Sequence, residues 1–417
     1  MEQDLKKGHP ASVVLVGLGC GTPATMTAEG RDAVQEADVW IGARRLLEGM
    51  PSSTAEKFAA TKPGEILSFL LRSPLQKCCV LYGGDTGFYS GTRNLVPLLE
   101  ENGIPFRILP GISSVQVMAA RLCRPWQEWK LVSAHGVHCD AVTAVREGKP
   151  ALFLTGGSLG PSALCLQLDQ AGLGSLPVTV GENLSYDNER ILHGTAREFS
   201  GKEFAPLSVL LAEPAPKPWN RSVQGIDDRE FLRGDVPMTK QEVRACALAK
   251  LEICSDDILW DVGAGTGSVS VEMALSAGKG HVYAVECEDD ACSLIQKNRE
   301  KFGAWNLTVI SGKAPEVLEG LPVPDAVFLG GTKGGLAEIL NTVYTKNPEA
   351  RVVVSAITVE TLSQAVTCLA GYGRDVEITQ VAVSRSKNTG RLHMMTAQNP
   401  VFLISAGSGR ERVAVRD

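Results

Sequence analysis

Short runs of aliphatic and β-branched residues recur along this chain, each bounded by glycine or a polar turn and followed by a helix-length amphipathic stretch. In the first half the runs are VVLVG (13–17), CCVLYGG (78–84), ALFLTGG (151–157) and PVTVGENL (177–184). In the second half they are DILWDVG (257–263), HVYAVE (281–286), LTVISG (307–312), DAVFLGG (325–331) and RVVVSA (351–356). Continuous apolar runs of this length suit strands covered on both faces, and the amphipathic stretches supply the covering helices. The pattern predicts an α/β protein with a largely parallel or mixed sheet in each half. None of the runs approaches the eighteen or so residues of a membrane span, so no membrane contact is expected. Residues 213–238, EPAPKPWNRSVQGIDDREFLRGDVPM, break the rhythm with four prolines. They predict a first domain over 1–212, a linker over 213–235 and a second domain over 236–417.

Composition refines this picture in three places. A chain of 417 residues exceeds one ordinary core, in agreement with two domains. A formal charge of −6 gives no basic footprint for nucleic acid, which favours a small-molecule partner. Eleven cysteines without a C-x-x-C pair, behind a polar N-terminus with no apolar signal segment, lead us to expect reduced thiols and a cytoplasmic location. The stretch SAHGVHC (133–139) groups His135, His138 and Cys139, but no further His or Cys cluster completes a tetrahedral set, so no metal is expected. The basic stretch VSRSKNTGRLHMM (383–395) reads either as a solvated loop or as a grip on an acidic ligand.

The chemistry concentrates at two glycine turns. In DVGAGTG (261–267) a strand runs into Gly263, Ala264, Gly265, Thr266 and Gly267 and then a helix, which presents backbone N–H groups to a polar ligand. A dinucleotide fingerprint would require glycine or alanine where Ser268 stands. The next strand ends in Glu286, placed to accept ribose hydroxyls, and Asp261 lies where a cationic amino-acid end could be held. This spacing suits S-adenosyl-L-methionine better than NAD. The first turn, GLGCGTP (17–23), lacks the ribose acceptor, because the strand that follows ends in Ile41-Gly42. It is therefore not expected to hold a dinucleotide.

Two family resemblances extend these readings. LYGGDTGFYS (81–90), ILPGISSVQ (108–116), LVSAHG (131–136), LFLTGG (152–157) and VGENLSY (180–186) resemble the tetrapyrrole (corrin/porphyrin) methylases over residues 11 to 212. MTKQEVRACALAKL (238–251), the turn at 261–267, FLGG (328–331) and SRSKNTGRLHMMTAQNPVFLI (384–404) resemble the class I methyltransferase domain that decarboxylates and methylates precorrin in cobalamin synthesis. The resemblances imply a two-lobed class III tetrapyrrole methylase fold followed by a Rossmann-like class I methyltransferase fold. They imply S-adenosyl-L-methionine as cofactor, held by Gly83, Gly84, Asp85, Ser113 and Ser114 in the first domain. In the second they assign it to Thr239, the 263–267 turn, Glu286 and Ala314. Lys313 stands where many relatives carry an acid, which removes one contact to the adenine.

Gly17, Gly19 and His135 are implied on the substrate side of the first domain, and Arg385, Lys387 and Arg391 are expected to grip substrate carboxylates in the second. Together the halves resemble bifunctional, decarboxylating precorrin C5,15-methyltransferases. The implied partner is a small tetrapyrrole, without nucleic acid or membrane, and a homo-oligomer is expected. The competing reading is an RNA or protein methyltransferase with an N-terminal binding module. The acidic charge and the lack of a basic, aromatic face speak against it.

Overall fold

The computed structural model describes residues 12–72, 77–135, 139–332 and 334–407. The chain divides into two compact units, and 215–235, read above as most of a linker, fall wholly within the second. Gly225 and Ile226 donate backbone N–H groups to Glu272 at 2.9 Å, and Asn298 bonds both backbone groups of Leu232. Ile226 and Phe231 are buried in the second unit's core. The prolines stop regular structure there without freeing the chain, because side chains of the helices at Ser268–Ser276 and Asp289–Phe302 satisfy the irregular backbone.

The first unit holds two sheets. Strands β1 (Ser12–Gly17), β2 (Val39–Gly42), β3 (Glu56–Ala59), β4 (Lys77–Tyr82) and β5 (Phe106–Leu109) form an all-parallel sheet in the order β3-β2-β4-β1-β5. Interior β1 is buried along Val13–Gly17, as a strand covered on both faces should be. The second sheet, ordered β6-β7-β10-β8-β9, comprises β6 (Lys130–Ser133), β7 (Ala151–Leu154), β8 (Pro177–Glu182), β9 (Arg190–Thr195) and β10 (Ser208–Ala212). Only its β6–β7 pair is parallel.

The second unit is built on one seven-stranded sheet in the order β13-β12-β11-β14-β15-β19-β16. Its strands are β11 (Ile258–Val262), β12 (His281–Glu286), β13 (Leu307–Ser311), β14 (Ala326–Leu329), β15 (Arg351–Ala356), β16 (Val376–Val381) and, beyond a hairpin, β19 (Val401–Ala406). The first five are parallel, and β19 inserts antiparallel between β15 and β16. The hairpin itself, β17 (Ser384–Thr389) and β18 (Leu392–Ala397), forms a separate two-stranded sheet. The predicted α/β class holds in both halves, and the basic stretch read as a loop is this hairpin.

The core of the second unit is anchored by a buried ionic network. Arg244, on the helix Gln241–Leu251, is 0% exposed. Its Nε donates to Glu272 at 2.6 Å, while Nη1 reaches Asp228 at 3.3 Å and the Thr239 carbonyl at 2.6 Å. Every polar atom a buried guanidinium brings needs such a partner, and these bonds tie the 225–239 segment to the sheet's covering helices.

Candidate functional site

In parallel sheets ligands settle at the carboxyl ends of the strands, where neighbouring loops diverge. The second unit assembles such a cradle from four strand ends. The turn after β11 carries Gly263, Gly265 and Gly267, all at positive φ (72°, 55° and 73°). A Cβ on Gly263 would stand 2.3 Å from the Gly331 carbonyl oxygen, so the turn after β11 and the FLGG end of β14 meet backbone to backbone. A Cβ on Gly265 would stand 2.9 Å from the carbonyl of Pro237, which brings the segment leading to Thr239 against the same turn.

Glu286 closes the next side of the cradle. Its carboxylate accepts from the N–H groups of Gly265 at 2.9 Å, Cys287 at 2.7 Å and Glu288 at 3.1 Å. The Glu286 carbonyl accepts from Gly312 N–H at 2.9 Å, which brings the approach to buried Ala314 alongside. Thr239, the 263–267 turn, Glu286 and the approach to Ala314 are therefore drawn to one edge of the sheet. Thr266 Oγ1 is buried in the turn without a hydrogen-bond partner, leaving a polar group there for a ligand. A narrow turn with bare glycine Cα atoms and a carboxylate on the next strand fits the adenosine and amino-acid parts of S-adenosyl-L-methionine.

Asp261 departs from its expected role. It is 1% exposed and accepts a hydrogen bond from the Ser270 hydroxyl, so its carboxyl lies under the turn instead of facing a ligand. Burial pushes its pKa up from 3.8 to about 7, with the Ser270 hydrogen bonds opposing and Glu286 adding a small rise.

Arg385 differs too. Its Nε and Nη2 fork onto Glu242 at 3.0 and 2.5 Å, and Nη1 reaches Asp228 at 3.1 Å. The charge expected to hold substrate carboxylates is met by these two acids, which fasten the hairpin to the unit. Lys387 and Arg391 are exposed on that hairpin.

The first unit has a cavity of about 350 Å³ that takes in both groups of residues expected there. Gly19, Gly83, Gly84, Asp85, Ser113, Ser114 and His135 all line it, joined by Thr155, Tyr186 and Ser208 from the second sheet and its loops. Gly17 is not in the lining. A Cβ there would stand 2.6 Å from Gly111 N and 2.8 Å from Gly84 O, so its lack of a side chain lets three loops touch. Gly19 and Gly84 exchange backbone hydrogen bonds of 3.1 and 2.7 Å across the same place.

Asp85 fixes that junction, accepting from Gly87 N–H at 2.9 Å and Gly111 N–H at 3.2 Å. Ser113 caps the helix Ser114–Leu122 in a reciprocal capping box with Gln116, which leaves the hydroxyl proton of Ser113 available to a ligand. The His135 ring occupies the space that a side chain at Gly156 would fill, 1.8 Å from its Cβ position. His138, grouped with it in the sequence, lies outside the described residues.

Arg45 and Tyr186 are among the lining residues that sequence reasoning missed. Arg45 follows β2 by three positions, on the sheet edge where ligand loops gather, and that was the available signal. Tyr186 ends the VGENLSY stretch that carried the family resemblance, but its hydroxyl meets Gly21 only through the tertiary fold.

Known proteins can now be set beside this geometry. The tetrapyrrole (corrin/porphyrin) methylase family matches residues 12–200, and the precorrin methyltransferase domain family matches residues 230–407. A precorrin-6Y C(5,15)-methyltransferase [decarboxylating] from Sinorhizobium is 31% identical over 372 residues, 86% of this chain and 88% of that protein. A probable cobalt-precorrin-6B C(15)-methyltransferase (decarboxylating) from Pyrobaculum calidifontis is 44% identical over 191 residues, 45% of this chain and 98% of that protein. The crystal structure of a precorrin-6Y C5,15-methyltransferase from Geobacter metallireducens, 40% identical, covers 46% of this chain and 100% of its own, with a TM-score of 0.44. With two successive methylase domains and a relative aligned along most of its length, the chain belongs to the family of decarboxylating precorrin-6Y C5,15-methyltransferases.

Proposed function

We propose that the two units divide the family's reaction between them. The chain is an S-adenosyl-L-methionine-dependent methyltransferase of cobalamin biosynthesis that methylates a precorrin at C5 and C15 and decarboxylates it. In our reading the first unit methylates C5, while the second removes the ring-C acetate carboxyl as carbon dioxide and methylates C15. The observation that supports this division is that each unit carries its own strand-end cradle, at 17–19, 83–85 and 111–114 in one and at 263–267, 286 and 331 in the other.

The cofactor supplies a methyl group already activated on a sulfonium, so the chain's task is chiefly to position partners and exclude water. In the second unit the main chain of 263–267 would seat the cofactor's amino-acid and ribose parts, with Glu286 accepting from the ribose. Methyl transfer to an electron-rich macrocycle carbon leaves a cation delocalised over the macrocycle, which relaxes by loss of a proton. Separately, loss of carbon dioxide from the ring-C acetate leaves an electron pair that the conjugated macrocycle takes up until the side-chain carbon is protonated. Lys387 and Arg391 suit peripheral acids of the substrate. An ion pair to the reacting carboxylate itself would oppose loss of carbon dioxide.

We further read the protein as cytoplasmic and homo-oligomeric. Among the described residues no helix is long and apolar enough to cross a membrane. Self-association is supported by the β17–β18 hairpin, where Leu392 and Met395 are 71% and 66% exposed, and light scattering tests it.

The division is tested with the full chain, methyl-labelled cofactor and a precorrin substrate. Glu286→Ala is expected to suppress C15 methylation and spare C5. Gly83→Phe fills the first cavity from a position whose Cβ meets nothing closer than 3.8 Å, and is expected to suppress C5 methylation. A mixture of the two variants should restore both. Loss of C5 methylation with C15 retained in Glu286→Ala would overturn the assignment.

A further inference from the structure

The first unit's cavity contains a cation that the reading above leaves without a task. Arg45 lies on the short helix Arg44–Glu48 directly after β2. Strands β2 and β4 are parallel neighbours with Gly42 opposite Leu81, so this helix and the Gly83–Gly84 turn leave the sheet side by side. Arg45 Nη2 lies 3.9 Å from the position a Cβ on Gly83 would take, beside Leu46 Cδ2 at 3.8 Å. With no side chain on Gly83, the guanidinium has a clear approach to whatever rests on that turn.

The charges around the cavity separate into one that is spent and one that is not. Among the described residues, besides the imidazole of His135, its ionisable lining groups of ordinary charge are Asp85 and Arg45. Asp85 is committed to the amides of Gly87 and Gly111. Among the described residues the Arg45 side chain has no ion pair or hydrogen bond, although Arg107, Arg121 and Arg124 of the same unit each pair with a carboxylate. A guanidinium presents five donors in a planar fork, and its best partner is a planar carboxylate taken by two parallel bonds.

We propose that Arg45 receives a carboxylate of the ligand bound in the first cavity, and so sets the ligand's orientation over the Gly83–Gly84 turn. The inference rests on the methyl-transfer reading for the nature of the ligands. Two of them carry the group: the amino-acid end of the cofactor, and the peripheral acetates and propionates of the tetrapyrrole.

The full chain with Arg45→Ala or Arg45→Lys separates these sources, reading C5 methylation by the position of the label in the product. For a cofactor carboxylate, Arg45→Ala raises the KM for S-adenosyl-L-methionine and the inhibition constant of S-adenosylhomocysteine by about tenfold or more, as befits a lost charge-assisted pair. Inhibition by 5′-methylthioadenosine, which lacks the amino-acid end, then stays the same. For a substrate carboxylate, the cofactor constants hold and the KM for the tetrapyrrole rises about tenfold, with kcat little changed. In either case Arg45→Lys recovers part of the loss, because charge is kept and the fork is not.

Constants for both ligands within about twofold of wild type in folded Arg45→Ala overturn the proposal. A wild-type chain that methylates no tetrapyrrole sinks the functional reading instead. Direct titrations of S-adenosylhomocysteine and of uroporphyrin, an eight-carboxylate tetrapyrrole, then still decide the role of Arg45 by the same comparison.

Discussion

Asp261 shows how burial converts a residue selected for its charge into one that gives the charge up. Its folded pKa of about 7 lies above its ordinary 3.8, so the native state binds the proton more tightly than the unfolded chain. The resulting stabilisation is fully present below about pH 4 and is lost as pH rises through about 7. Urea midpoints of the second unit in the ligand-free protein should therefore fall between pH 5 and pH 8, and Asp261→Asn should flatten that slope. An equal slope in the variant would contradict the assignment. The sequence announced the acid through its place before the glycine turn. It did not announce that the Ser270 hydroxyl, nine positions on, would be turned back beneath that acid, because a helix that follows a tight turn points its first side chains wherever the turn aims it. Glu286 was legible for the opposite reason. A residue ending a parallel strand must emerge at the ligand edge whatever its neighbours are.

At the scale of elements, strands declared themselves best and the hairpin worst. DILWDVG, HVYAVE and RVVVSA are apolar on both faces and can only be interior strands, whereas β17 and β18 alternate nothing and bury little. The three basic residues in that hairpin look alike in the sequence, yet only Arg385 finds Glu242 and Asp228, residues more than a hundred positions away. Arg385→Ala should release the hairpin, so that limited proteolysis cuts within 384–397 sooner than in wild type. Global stability should change by no more than about 1 kcal/mol, since the arginine is more than a third exposed and solvent screens the pair. Unchanged cleavage with a markedly lower unfolding midpoint would mean that the pair anchors the core instead of the hairpin. The segment 215–235 misled in the other direction. Proline density signals the end of periodic structure but says nothing of burial, which here depends on acceptors and donors supplied by Glu272 and Asn298.

At the scale of the molecule, each unit has hydrophobic clusters of its own, and each should melt as its own cooperative block. Arg244→Met tests this. Removing the guanidinium leaves Glu272 buried with only backbone partners, at a cost of about 3–5 kcal/mol, and the loss should appear in one of two calorimetric transitions and leave the other in place. A uniform shift of a single transition would show that the blocks unfold together. S-adenosylhomocysteine should raise both transitions by mass action if each block has a site.

The close glycine contacts carry a consequence for how such an enzyme can diverge. Gly17 against Gly111, and Gly263 against Gly331, brace the loops beneath each cradle with main chain alone, as a floor that does not itself line the first cavity. Main chain has no side-chain alphabet, so substitution can break these floors but cannot retune them. Inherited changes of chemistry are therefore confined to side chains around these floors, such as Arg45, His135 and Tyr186 in the first cavity. A lineage can alter what such a site accepts by editing those few positions while the backbone frame beneath them is held constant.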